Sequence, residues 1–139
     1  MNEFITQARV YIEDTDFGGV VYHANYLCWM ERARTELLRS AGFEQQTLID
    51  EDLLFVIRAV EIRYRAPAKL DDKIIIKTSI SKQTFATMVF SQRIYLEAEP
   101  NNEGPLLCEA SVEVASVSVA SRQVIAVPKH IASAMKAYS

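Results

Sequence analysis

Cysteine, histidine and glycine are all scarce in this chain, and each shortage removes a class of function. The 139 residues hold two cysteines, two histidines, and four each of glycine and proline. One pair of thiols is no disulfide framework. Cys28 falls in a helical pattern and Cys108 in a strand pattern, so both are expected to be buried free thiols suited to a reducing cytoplasm. Asp16 and His23 lack a third ligand at helical or loop spacing, so no metal site is expected. A glycine-rich phosphate loop is missing too. No apolar run approaches the ~20 residues that cross a bilayer. The opening Met1-Asn2-Glu3-Phe4 carries no basic region, so no secretory signal is expected, and peripheral association with a membrane stays open. An excess of basic charge is also absent: the formal net charge is -3, which argues against nucleic acid as a partner.

What is there describes one globular domain over residues 1–139, with 50% hydrophobic and 24% charged residues. Alternation from Arg9 to Glu13, with Val10 and Ile12 to one side, predicts a first strand that stops at Asp14-Thr15-Asp16-Phe17-Gly18-Gly19. From about Tyr22 to Ala41 the period becomes helical. Tyr26, Met30, Ala33, Leu37 and Ala41 form the apolar stripe, Arg32–Glu36 and Thr35–Arg39 are i,i+4 pairs, and Gly42 is the terminator. Residues 43 to 53 read as irregular or weakly helical. Four strand-like runs follow, at Leu54–Arg65, Lys73–Ser81, Ala86–Glu99 and Leu106–Ala120. Turns are expected at Lys82-Gln83-Thr84 and across Pro100–Pro105, and a short helix from about Pro128 with Ile131, Met135 and Tyr138 on one face. One helix of about 18 residues spans ~27 Å, enough to cross five strands spaced ~4.8 Å apart. The predicted architecture is therefore α+β: a five-stranded antiparallel sheet wrapped around one long central helix.

Reactive groups are densest from Asp14 to Tyr26, in DTDFGGVVYHANY. This order sets a carboxylate, a flexible turn and a helix start in succession. The first turn of a helix carries amide hydrogens without intrahelical partners and a partial positive charge, which suits an oxyanion forming on a thioester carbonyl. A carboxylate brought back by Gly18-Gly19 supplies a second part of an acyl-transfer site.

The stretch from Glu13 to Tyr26, followed by Glu31-Arg32-Ala33-Arg34-Thr35-Glu36, resembles the 4-hydroxybenzoyl-CoA thioesterase family of the hotdog fold. Within it, the chain is similar to the Tol–Pal-associated acyl-CoA thioesterase branch. Tyr64-Arg65-Ala66-Pro67-Ala68-Lys69-Leu70-Asp71-Asp72 looks like that family's second-strand ending, and the similarity covers nearly the whole chain. The resemblance implies hydrolysis of acyl-CoA to free acid and CoA, with CoA part of the substrate and no further cofactor. It implies Asp16 as the catalytic carboxylate, acting as base or nucleophile, and a backbone N–H at His23 polarising the carbonyl. It also implies a site at a dimer interface, in a homodimer or a homotetrameric dimer of dimers. Phe17 departs from the smaller residue usual there and is expected to narrow the acyl pocket.

Blander roles compete at each position. Asp16 and Asp14 can each simply stabilise the turn, and for Asp14 that reading is preferred. His23 can be a surface or capping histidine, or can orient water beside Asp16. Tyr22, Asn25 and Tyr26 are candidate substrate-binding residues, although Asn25 is first a cap and Tyr26 first a core residue. Glu31 imitates a helix carboxylate used elsewhere, but Arg32 and Arg34 beside it point to a surface or interface ion pair. Lys69, Lys82, Arg58 and Arg93 are available to CoA phosphates without diagnostic spacing. The rival functions are a non-catalytic module binding acyl-CoA or acyl carrier protein, and a hotdog hydratase or dehydratase.

Overall fold

The computed structural model describes residues 2–139. Strand β1 (Phe4–Arg9) leads through a 3-10 turn (Ile12–Asp14) and a short loop into helix α1 (Asn25–Ser40) and helix α2 (Gln45–Asp50). Strands β2 (Leu53–Tyr64), β3 (Lys73–Gln83), β4 (Thr87–Glu99) and β5 (Asn102–Ser118) follow, then helix α3 (Lys129–Met135) with a 3-10 turn at Lys136–Tyr138. The five strands make one antiparallel sheet in the order β1-β3-β4-β5-β2. The inner face of the sheet holds Ile74, Ile76, Ile80, Met88, Phe90, Ile94, Val112 and Val114, packed with the apolar side of α1 into one core. This is the expected α+β hotdog arrangement.

Several expectations need correction. The first strand runs Phe4–Arg9, ahead of the expected Arg9–Glu13. Val10 is the last residue of the inward series, whereas Ile12 is 75% exposed. Asp14 causes the break: its Oδ2 accepts the Tyr11 N–H at 2.8 Å and turns the backbone into a 3-10 loop. Helix α1 begins at Asn25, although a turn closed by the Asn25 N–H on the Tyr22 carbonyl at 2.8 Å precedes it. Its buried side is wider than the expected stripe and adds Trp29, Arg34 and Leu38, while Ala41 is half-buried. The expected i,i+4 pairs give way to Arg39 with Glu36 and Glu44, and Thr35 donates to Glu31.

Residues 45–50 form α2. The Pro100–Pro105 turn shrinks to Pro100-Asn101, because Asn101 takes φ +66° and β5 already begins at Asn102. Cys28 is exposed on α1, and only Cys108 is buried.

Candidate active site

One short hairpin fixes the loop between β1 and α1. Thr15 bridges Val21, the Asp16 N–H reaches the Val20 carbonyl at 2.9 Å, and the Tyr22 N–H reaches the Asp14 carbonyl at 2.9 Å. Gly19 takes φ +77° at the tip, a region that disfavours side chains with a Cβ. A second clamp comes from the segment after β2. The Val21 N–H donates to the Ala68 carbonyl at 2.9 Å, Val20 bridges Lys69, and the Ala68 N–H donates to the Tyr26 hydroxyl at 3.0 Å. The Ala66-Pro67-Ala68-Lys69 motif therefore pins the loop and the helix start together.

Asp16 is exposed beside this clamp. Its Oδ1 accepts the Gly18 N–H at 2.9 Å, and among the described residues nothing donates to Oδ2. Asp14 is engaged on both oxygens, by the Tyr11 N–H and by Asn25 Nδ2 at 2.9 Å, which is the turn-stabilising role preferred for it.

No side chain caps α1, and among the described residues the His23 and Ala24 amides find no acceptor. These are the open donors that the sequence pattern points to. The Tyr64 hydroxyl donates to the His23 carbonyl at 2.8 Å. The His23 ring lies 4.6 Å from that of Tyr22 and edge-on to Tyr64 at 6.3 Å, and Tyr64 meets Tyr26 at 5.7 Å. A cleft of about 300 Å³ opens against these rings, walled by Val21, His23, Tyr26, Tyr64, Arg65, Ala66 and Pro67. Burial raises the Tyr26 phenol, which gives way only partly to the Ala68 N–H, and burial also raises that of Tyr64. Cys108 nearby is pushed up to about 12 by burial, so it stays a thiol and no nucleophile.

The structure thus brings His23 and Tyr26 to one cleft. Within a protomer its described walls do not include Asp16, Tyr22 or Asn25. Tyr22 is exposed, and the amide nitrogen of Asn25 is spent on Asp14. Phe17 is wholly exposed, so it narrows no pocket within a single chain. Arg34, expected at a surface, is buried with Nη1 donating to Gln92 Oε1 at 2.9 Å. Glu31 has no ion pair among the described residues and accepts from Thr35. Arg58 lies 3.8 Å from Glu113, and Arg93 shares the outer face of the sheet with Arg63 and Glu109. No group of three or more His, Cys, Asp or Glu with metal-binding proximity occurs among the described residues. Tyr64 escaped sequence reasoning as a site residue, because its partner lies 41 positions away and no local spacing marks the pair.

Comparison with known proteins agrees with this fold. The thioesterase-like superfamily profile matches residues 10–135. The acyl-CoA thioester hydrolase YbgC of Escherichia coli O157:H7 is 47% identical over 128 residues, covering 92% of each chain. The acyl-CoA thioesterase YbgC of Haemophilus influenzae is 44% identical over 134 residues, covering 96% of this chain and 94% of that one. A probable thioesterase from Bartonella henselae superposes with a TM-score of 0.81 at 38% identity, covering 91% of this chain and all of that one.

Proposed function

The chain belongs to the thioesterase-like superfamily, and from that premise we propose that it is a thioester hydrolase that splits acyl-CoA into free acid and CoA at Asp16 and the start of α1. One observation carries the reading. The hairpin holding Asp16, whose Oδ2 is unengaged among the described residues, runs directly into a helix start whose His23 and Ala24 amides find no acceptor among them. Those amides hold the carbonyl oxygen as negative charge grows on it. Asp16 delivers the attack, either by taking a proton from water or by adding to the carbonyl itself. His23 orients water or the carbonyl from the wall of the cleft, and Tyr22, Asn25 and Tyr26 shape the space around the thioester.

The working unit is a homodimer, joined further as a dimer of dimers. The exposure of Asp16 in a single protomer supports this, as does the bare edge strand β2 with Val56, Ile57 and Val60 exposed. The cytoplasm is the proposed location. No helix among the described residues is long and apolar enough to cross a membrane.

The test is release of CoA thiol from acyl-CoAs of graded chain length and from aromatic acyl-CoAs, with acyl carrier protein thioesters alongside. Asp16→Asn is expected to lose ~10²–10⁴ in kcat with the fold intact, and His23→Ala less. An Asp16→Asn variant as fast as wild type would favour a binding module that needs the pocket and not the carboxylate. Hydration of an enoyl-CoA without thioester cleavage would favour the hydratase reading. Single turnover in ¹⁸O-water tests the second attack, since label in the Asp16 carboxylate marks an acyl-enzyme anhydride opened by water at the aspartyl carbon.

A further inference from the structure

The backbone that opens α1 is met by a residue from the far end of β2. No side chain of the helix holds its amides: the N-cap position is Ala24, without a side-chain cap, and the helix backbone adds only the turn that the Asn25 N–H closes on the Tyr22 carbonyl at 2.8 Å. Among the described residues, the one side chain bonded to the backbone there is Tyr64, whose hydroxyl donates to the His23 carbonyl at 2.8 Å. That carbonyl and the Ala24 N–H are the two ends of a single planar peptide, pointing in opposite directions. Fixing one end fixes the other. The same bond restrains rotation about His23, which carries the neighbouring open amide. Donation into a carbonyl also polarises the N–H across its peptide, so the Ala24 N–H becomes a better donor. The Tyr64 ring is itself held edge-on between His23 at 6.3 Å and Tyr26 at 5.7 Å, which leaves the hydroxyl little freedom to wander.

Resting on the thioesterase reading above, we propose that Tyr64 is a positioning residue for the reaction, its hydroxyl pinning the His23–Ala24 peptide so that the amides at the start of α1 face the oxyanion. Tyr64 touches neither the attacking group nor the leaving thiol in this scheme. Its influence falls on the transition state and spares ground-state binding, because the carbonyl oxygen demands strong donors only as charge develops on it.

The test is Tyr64→Phe, which keeps the ring packing and removes only the donor. Its kcat is expected to fall roughly tenfold, less than the ~10² that follows outright loss of an oxyanion donor, with KM within about twofold. Two CoA analogues give a readout that a purely structural role would not move. A trifluoromethyl-ketone analogue presents a tetrahedral oxyanion, and its affinity should fall in step with kcat. An unreactive thioether analogue should bind Tyr64→Phe as it binds wild type. As a second variant, 3,5-difluorotyrosine incorporated at position 64 preserves the ring while moving the phenol's ionisation toward neutral. Its kcat should drop on the alkaline side, where wild type holds steady.

Wild-type kcat in Tyr64→Phe, equal loss of both analogues, or a pH profile unchanged by fluorination each overturns the proposal. A wild type that releases no CoA thiol sinks the thioesterase reading and this one together. An active wild type with an indifferent Tyr64→Phe sinks this one alone.

Discussion

Arg34 sits 7% exposed in the middle of α1, with Ala33 buried before it and Thr35 half-buried after it. Read along the helix, Glu31, Arg32, Thr35 and Glu36 make it look like one more surface charge. What draws it inward is Gln92, 58 residues away on β4 and fully buried. Gln92 Oε1 accepts from Arg34, while its Nε2 donates to the Met30 carbonyl at 2.9 Å and to Thr78 Oγ1 at 3.0 Å. Burial lowers the Arg34 pKa, with the charge of Glu31 opposing, yet an arginine remains charged throughout the working range. Removing Gln92 alone therefore leaves a buried cation without its acceptor. Gln92→Leu is expected to cost about 2–4 kcal/mol in urea unfolding. Arg34→Met in the same background should recover part of that loss, because both partners are then apolar. A double variant as unstable as the sum of the singles would show that the two side chains act independently.

At the scale of elements, the end of α1 was more legible than its beginning. The sequence marks Gly42 as the stop of α1, and it takes φ +97° with its N–H on the Arg39 carbonyl, while the Phe43 N–H reaches the Leu38 carbonyl. That is a Schellman closure, which a residue with a Cβ strains. Gly42→Ala is expected to lower stability by about 1 kcal/mol in thermal or chemical unfolding, with kcat unchanged, since the proposed site lies at the opposite end of α1. The four later strands were legible because long apolar runs and turn residues bound them, and β1 was displaced because Val10 and Ile12 imitate an alternation that Asp14 cuts short.

The joint between α2 and β2 held a feature that no pattern announced. Asp52 takes φ +68°, and its carboxylate accepts from Ser118 Oγ at 2.7 Å and from the Ala120 N–H at 2.8 Å. The Ser118 hydroxyl and then the Ala120 amide hold its pKa below the ordinary value. A carboxyl depressed in the folded state contributes stability above its unfolded pKa and loses it as pH falls through the folded one. Unfolding curves between pH 6 and 2 should therefore steepen below about pH 4, and Asp52→Asn should flatten that acid limb. An identical slope in the variant would assign the acid sensitivity elsewhere.

For the molecule as a whole, the site and the assembly are one question. A single protomer leaves β1 and β2 as sheet edges, and β2 exposes Val56, Ile57 and Val60 along its length. The order of strands across the sheet lay outside the sequence reading, since consecutive runs of similar character do not say which of them ends at an edge. Two edges of this kind pair readily, so β2 against β2 across a twofold axis would bury these side chains and satisfy the free backbone groups. Lysines along such an edge oppose that pairing through charge repulsion and the loss of burial. Val56→Lys combined with Val60→Lys is therefore expected to shift the protein toward monomer in sedimentation equilibrium, with secondary structure retained by circular dichroism. If Asp16 completes its site only against a second protomer, kcat of this variant falls with its dimer fraction, and specific activity recovers as protein concentration rises. Full activity in a monomeric double-lysine variant would mean that one protomer holds a complete site, and the shared-site reading would have to be abandoned.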